Sequence, residues 1–365
     1  MNENPQFHGS DIEAASAYYN IPKEQIVCFS SNVNPLGLSD SLKNTLADHL
    51  DVLSSYPDRN YTSLKSALAA YCNAPAKYFL VGNGSTEMIS VLIQTRRPKK
   101  ALIISPTYSE YARELSLIGC TLDKYVLKEA NDFQLDFEDF AECMEAGKYE
   151  LIILCNPNNP TSSALTSSQI CKMLKIIEKH HSFLMIDETY VEFTENIHEY
   201  SAMSLLTEYD NFIVLRGVSK FFAAPGMRFG YAATSNQELH QAFLKLQNPW
   251  SLNSLAAFAG ETMFFDTEYI ERTKTYLLSE KKRMMNDLSS IPGLKLYPSH
   301  ANFVLVKILL PHMTSYDLFD SLMKKGLMVR DCSSFTCLDG AYFRFCIMHA
   351  EENTRLLKAI HEIID

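Results

Sequence analysis

What the chain lacks narrows it first. Basic residues are not in excess: Lys and Arg number 33 against 43 Asp and Glu, a formal net charge of −10. They are also scattered, whereas a nucleic-acid reader needs a basic stripe. The nine cysteines form no C-x-x-C pair, which argues against a zinc knuckle or a disulfide framework and for a reducing, cytoplasmic setting. No window reaches the roughly 18 apolar residues of a membrane span. The amino terminus has no basic segment leading into an apolar one, so no secretory leader is expected. Repeats, low-complexity tracts and charge blocks are missing as well. What remains, 365 residues with 47% apolar and 21% charged, is an ordinary globular composition. At ~150 residues per domain, that length predicts two domains.

Most of the chain alternates short apolar runs with longer helical patterns, the rhythm of β-α-β units around a mainly parallel sheet. The clearest runs are 78–81, 101–104, 151–154, 183–186, 212–215 and 229–233. From a predicted helix over 266–289 onward the pattern changes. Strand-like runs 294–297, 302–306, 327–330 and 342–346 interleave with two helical patterns, which predicts a smaller α+β domain. The first forty residues carry no long periodicity and are expected to fold back as an arm. In open α/β sheets, ligands sit beyond the carboxyl ends of the strands.

Those ends are where unusual residues gather. Gly82-Asn-Gly-Ser-Thr-Glu87 joins a strand to a helical pattern, and the free N–H groups of Ser85 and Thr86 at a helix start suit an anion. Ser85 or Thr86 acting only as an N-cap is the plainer reading. Asp187 closes a buried run, where a carboxylate needs a cation or several donors, while an exposed strand-end Asp capping the next turn is an equal reading of the same position. Lys220 follows another run and is followed by Phe221 and Phe222; a solvated surface charge is the default for a lysine, but one partly desolvated there can form a Schiff base with a carbonyl compound. Arg344 shares a strand face with Tyr342 and Cys346 and calls for an anion, structural or bound. Arg228 heads a further strand. Asn159, in Asn156-Pro-Asn-Asn-Pro-Thr161, reads by default as a turn residue. Together an anion-binding turn, a buried carboxylate, a desolvated lysine and arginines are what pyridoxal 5'-phosphate requires.

With Asn156-Pro-Asn-Asn-Pro-Thr161, Ile186-Asp-Glu-Thr-Tyr190 and Ser219-Lys220 followed by Arg228, the sequence resembles the class I/II aminotransferase family of fold-type I pyridoxal-phosphate enzymes. The resemblance implies an α/β large domain (38–260) around a mainly parallel seven-stranded sheet. It also implies a small α+β domain (261–365) joined by an N-terminal arm (1–37). Lys220 and Asp187 are implied as catalytic, with Asp187 at the pyridine nitrogen and Asn159 and Tyr190 at the ring hydroxyl. Tyr108 is implied on the ring face, and Ser85, Thr86, Ser219 and Arg228 at the cofactor phosphate. Tyr56, in Tyr56-Pro-Asp58, matches a tyrosine that reaches a neighbouring subunit's cofactor, implying a homodimer with shared active sites.

Within the family, Phe7-His-Gly9, Phe29-Ser-Ser-Asn-Val-Asn-Pro-Leu-Gly37 and 249–257 resemble the threonine-phosphate decarboxylases of cobalamin biosynthesis. The substrate residues so implied are Arg344, Arg330, His8 and Asn34, for a small phosphorylated amino acid. The alternative is an aminotransferase of the histidinol-phosphate type, passing an amino group to 2-oxoglutarate. No metal, nucleic acid or membrane partner is expected. Three positions depart from the pattern: Gly217 replaces a hydroxyl residue, Ser162 a glycine, and Ser10 the second glycine of a His-Gly-Gly.

Overall fold

The computed structural model describes residues 5, 7 and 9–364. Its strands are β1 (Val27–Cys28), β2 (Phe79–Gly82), β3 (Lys100–Ser105), β4 (Thr121–Val126), β5 (Leu151–Cys155), β6 (Phe183–Asp187), β7 (Phe212–Gly217) and β8 (Gly230–Ala233), then β9 (Leu294–Leu296), β10 (Phe303–Ile308), β11 (Leu327–Met328), β12 (Arg330–Asp331) and β13 (Tyr342–Cys346). Seven of them form one sheet in the order β2-β8-β7-β6-β5-β3-β4. All run parallel except β8, which is antiparallel to both neighbours. The α/β class with a seven-stranded, mainly parallel sheet is therefore as expected.

The central strands are apolar throughout because both their faces are covered. In β5 and β6, Ile152, Leu154, Leu184 and Ile186 join one apolar cluster, while Leu151, Ile153, Phe183 and Met185 join the other. The two-residue period thus divides each run between two cores. Edge strand β4 is different. Its residues Thr121-Leu-Asp-Lys-Tyr-Val126 are mostly exposed or half-buried, so no apolar run announces it, as suits an edge that must not pair further.

A second sheet, antiparallel in the order β12-β13-β10-β9, sits beside the first. The expected strand 327–330 divides at Val329. Its first half, β11, pairs with β1 of the amino-terminal segment, and its second half, β12, pairs with β13. A 22-residue helix, Thr267–Leu288, begins under an Asp266 cap whose carboxylate accepts from the Tyr269 N–H at 3.0 Å. No described helix is long and apolar enough to cross a membrane, and no described group of side chains could hold a metal ion.

Candidate active site

A cavity of about 500 Å³ opens where β3, β5, β6 and β7 end, and the second sheet closes its other side. Eleven of the residues singled out above line it: Lys220, Asp187, Asn159, Tyr190, Tyr108, Ser85, Thr86, Ser219, Arg228, Arg330 and Arg344.

At one end the helix Gly84–Arg96 points its first turn into the cavity. Asn83, not Ser85 or Thr86, occupies the cap position, and the Asn83 N–H is satisfied by Glu87 Oε2 at 2.6 Å. Ser85 and Thr86 therefore lie inside the first turn, where backbone N–H groups have no helical acceptor. Gly84, at φ 83°, lies so close to Arg228 that a β-carbon would overlap the guanidinium. Glycine here lets a cation join the positive end of the helix.

On the floor, Asp187 meets donors rather than a cation. Its Oδ1 accepts from the Thr189 N–H at 2.9 Å and the Thr189 hydroxyl at 2.6 Å, and Oδ2 accepts from the Tyr111 hydroxyl at 2.7 Å. Tyr111 is fully buried and was not singled out from the sequence, where it reads as an apolar helix position one turn after Tyr108. The next residue, Glu188, faces the opposite way and takes Arg216 Nε and Nη2 at 3.0 and 2.8 Å. Strand alternation thus sends one carboxylate to the cavity and its neighbour to the core.

Lys220 Nζ donates to the Ser31 carbonyl at 2.6 Å. Burial, aided by the Arg344 charge, pulls its amine down to about 8. Burial also raises the Tyr190 phenol above its ordinary value, so it keeps its proton; its oxygen accepts from Asn32 Nδ2 at 3.2 Å. Tyr108 is pushed up to about 12, again chiefly by burial.

The Asn-Pro turn divides its asparagines by task. Asn156 bonds the Leu165 and Tyr200 carbonyls at 3.0 and 3.1 Å, and Asn158 bonds the Pro106 carbonyl at 2.8 Å. With these two anchoring the backbone, Asn159 Oδ1 is free to accept from Arg344 Nη1. The departure at Ser162 has a structural role. Its φ of 58° is the left-handed region that favours glycine, yet the hydroxyl accepts from the His300 and Ala301 N–H groups at 3.1 and 2.8 Å. That ties the turn to the loop leading into β10. At Gly217 a β-carbon would meet only ordinary contacts, 3.6 Å from the Phe229 carbonyl and 3.7 Å from Ser85.

Arg344 Nη2 donates to the Ser30 carbonyl at 2.6 Å, its guanidinium carbon lies 5.1 Å from the centre of the Phe303 ring, and its buried Nε has no partner. Among the described residues no carboxylate comes within ion-pair distance of Arg344. Arg330 Nη1 donates to the Phe7 carbonyl and Nη2 to Ser334 Oγ at 2.7 Å. Gly9 approaches Ser30 so closely that a β-carbon would stand 2.5 Å from its carbonyl oxygen. The amino-terminal segment is thereby held against both arginines, whereas His8 lies outside the described residues.

Two expected residues lie elsewhere. Asn34 is not in the cavity wall: its amide donates to the Phe221 carbonyl and the Tyr269 hydroxyl, both at 2.9 Å, and its Oδ1 accepts from the Leu36 N–H at 3.0 Å. The Asn-Pro turn signal of Asn34-Pro35 foretells that local bonding, and it is Asn32 that lines the cavity. Tyr56 is outside this cavity, 80% exposed, with its ring 4.8 Å from that of Trp250.

The sequence pattern described as aminotransferase class I and II matches residues 24–360. The chain is 33% identical to a threonine-phosphate decarboxylase of Salmonella typhimurium, over 98% of this chain and 96% of that protein. It is 31% identical to a histidinol-phosphate aminotransferase of Methanococcus aeolicus, over 98% and 95%. A crystal structure of the histidinol-phosphate aminotransferase from Clostridium acetobutylicum superposes with a TM-score of 0.86 at 32% identity, covering 92% of this chain and 98% of that one. Fold, site and sequence agree that the chain belongs to the class I and II aminotransferase family.

Proposed function

We propose that this chain is a pyridoxal-phosphate-dependent decarboxylase of a small O-phosphorylated amino acid. The observation that carries the proposal is one cavity holding both a desolvated lysine amine and two arginines, of which Arg344 has a buried, unpartnered Nε. The donor set fits the cofactor. The first turn of the helix Gly84–Arg96 with Ser219 and Arg228 would take its phosphate, Asp187 its ring nitrogen, Tyr190 and Asn159 its ring hydroxyl, and Tyr108 its face. When bound, pyridoxal phosphate supplies an aldehyde that condenses with amines and a cationic ring that accepts the electrons of a bond broken at the substrate α-carbon.

The chain's own residues supply the rest. Asp187 accepts from three donors that fix its orientation toward the cavity, where it is placed to accept a hydrogen bond from a protonated ring nitrogen. Lys220, near 8, takes and returns a proton at Nζ close to neutral pH. The arginines select the bond by orienting the substrate. Gripping a side-chain phosphate leaves the α-carboxylate free to depart as carbon dioxide. Gripping the carboxylate instead presents the α-proton to Lys220, the route of an aminotransferase. The likeness of the segment around Gly9 and Ser30 to threonine-phosphate decarboxylases favours the first route.

With O-phosphothreonine or O-phosphoserine, the purified, cofactor-loaded protein should release carbon dioxide without a keto acid. Strict dependence on 2-oxoglutarate would overturn decarboxylation in favour of amino transfer. The active unit we propose is a homodimer: Leu50, Leu53, Tyr56 and Trp250 are 54%, 58%, 80% and 40% exposed, apolar surface of a kind that a second copy covers. A monomer by light scattering would refute this.

A further inference from the structure

One cation at the cavity has no task in the reading above. Lys124 stands in the exposed edge strand β4, and its Nζ crosses to the loop after β12, donating to Thr336 Oγ1 at 3.1 Å. Both residues line the cavity that holds Lys220, Arg330 and Arg344. The neighbouring carboxylate in β4, Asp123, points to the other face and is taken by Lys100 at 2.9 Å and Tyr149 at 3.0 Å. Among the described residues, Lys124 has no ion pair. An ammonium has three donors, and here one is spent on a neutral hydroxyl.

The same loop repeats the arrangement two residues earlier, where Ser334 Oγ accepts from Arg330 Nη2 at 2.7 Å. Two hydroxyls thus hold two cations on one wall of the cavity. A carboxylate is satisfied by one guanidinium, while a phosphate monoester carries close to two charges and three terminal oxygens and takes several charged donors. We infer that Lys124 is a specificity-determining residue that binds the terminal phosphate of the substrate together with Arg330, reading the anion from the edge of the large sheet while the arginine reads it from the small one. This rests on the proposal that the substrate is phosphorylated.

The test compares cofactor-loaded wild type, Lys124→Gln and Lys124→Arg. Steady-state rates are measured with phosphorylated amino acids and their unphosphorylated counterparts, and inorganic phosphate binding by thermal shift. Lys124→Gln should raise KM for the phosphorylated substrate about tenfold with kcat nearly unchanged, as expected for one charge-assisted contact made in the ground state. It should also flatten the salt dependence of that KM, weaken phosphate binding by a similar factor and leave the visible absorbance of the bound cofactor unaltered. Lys124→Arg should restore most of the loss. An unchanged KM and unchanged phosphate affinity, or an equal rise for unphosphorylated substrates, would overturn the inference. Should wild type turn over no phosphorylated amino acid, the functional proposal fails, and the phosphate-binding comparison still decides for or against Lys124.

Discussion

Arg330 and Arg344 are direct cross-strand partners in antiparallel strands β12 and β13, two buried guanidiniums side by side. Like charges placed opposite one another on a sheet repel, and burial with the Arg344 charge lowers the Arg330 guanidinium from its ordinary value. A ligand phosphate or carboxylate bound between them, as proposed above, would relieve that repulsion. At a ligand concentration of ~100 Kd the linked stabilisation is ~2.7 kcal/mol, visible as a rise in melting temperature. In Arg330→Gln this ligand-induced rise should shrink while the cofactor absorbance stays. In Arg344→Gln, which also strands Asn159, kcat/KM should fall by about 100-fold or more. A full ligand-induced shift in both variants would contradict the paired-arginine site.

Tyr111 is one of the three donors that fix Asp187. Tyr111→Phe removes that hydrogen bond with little change of shape. Hydrogen bonds to charged groups contribute about 1.5–3 kcal/mol, so turnover should drop roughly ten- to a hundredfold while Lys220 still captures the cofactor. Wild-type turnover in Tyr111→Phe would mean that Thr189 alone holds the carboxylate.

Asp187 and Lys220 were legible because each follows a run apolar enough to be a buried strand, and Arg344 because alternation puts it opposite two phenylalanines; Asn159 read as a turn residue, and only the family resemblance placed it at the site. Tyr111 was not, since a buried tyrosine on a helix reads as core until its hydroxyl partner is known. Asn32 and Asn34 have the same parity and near-identical surroundings in sequence. Only the turn chemistry of Asn-Pro separates them, and it assigns Asn34 to the backbone. Lys124 was hidden because β4 is an edge strand, and an edge needs no apolar run.

With Lys220 in its proposed role, the pH dependence of cofactor capture should follow from its amine. Its amine sits near 8 against an ordinary 10.5, through burial first and the Arg344 charge second. Only the neutral amine attacks an aldehyde. Capture of pyridoxal phosphate by the cofactor-free protein should therefore quicken about tenfold per pH unit below about 8 and level off above it. An ordinary lysine would still be climbing there. The folded-state value is depressed, so between about 8 and 10.5 the unfolded chain binds the extra proton, and this amine adds to stability as pH rises through that window. Lys220→Ala should abolish both the visible absorbance and turnover, and Arg344→Gln should move the bend to higher pH. A bend near 10 in wild type would refute the desolvated amine.

Ser162 accepts a left-handed backbone in exchange for an anchor. Its hydroxyl accepts from the Ala301 N–H, whereas the His300 N–H also reaches the Ser162 carbonyl at 3.0 Å. Ser162→Ala keeps the β-carbon strain and leaves the Ala301 donor stranded, so it should lower unfolding free energy by about 1–3 kcal/mol in urea titrations. Ser162→Gly loses the same bond but relieves the φ of 58°, and should lie about 1 kcal/mol above the alanine variant. The turn that holds Ser162 also holds Asn159, and the loop it pins leads into β10, whose Leu305 is paired with Arg344. Loosening the anchor should therefore raise KM for the anionic substrate more than it weakens cofactor binding. Equal stability of the alanine and glycine variants would show that the backbone strain is negligible, and wild-type stability in both would show that the hydroxyl holds nothing.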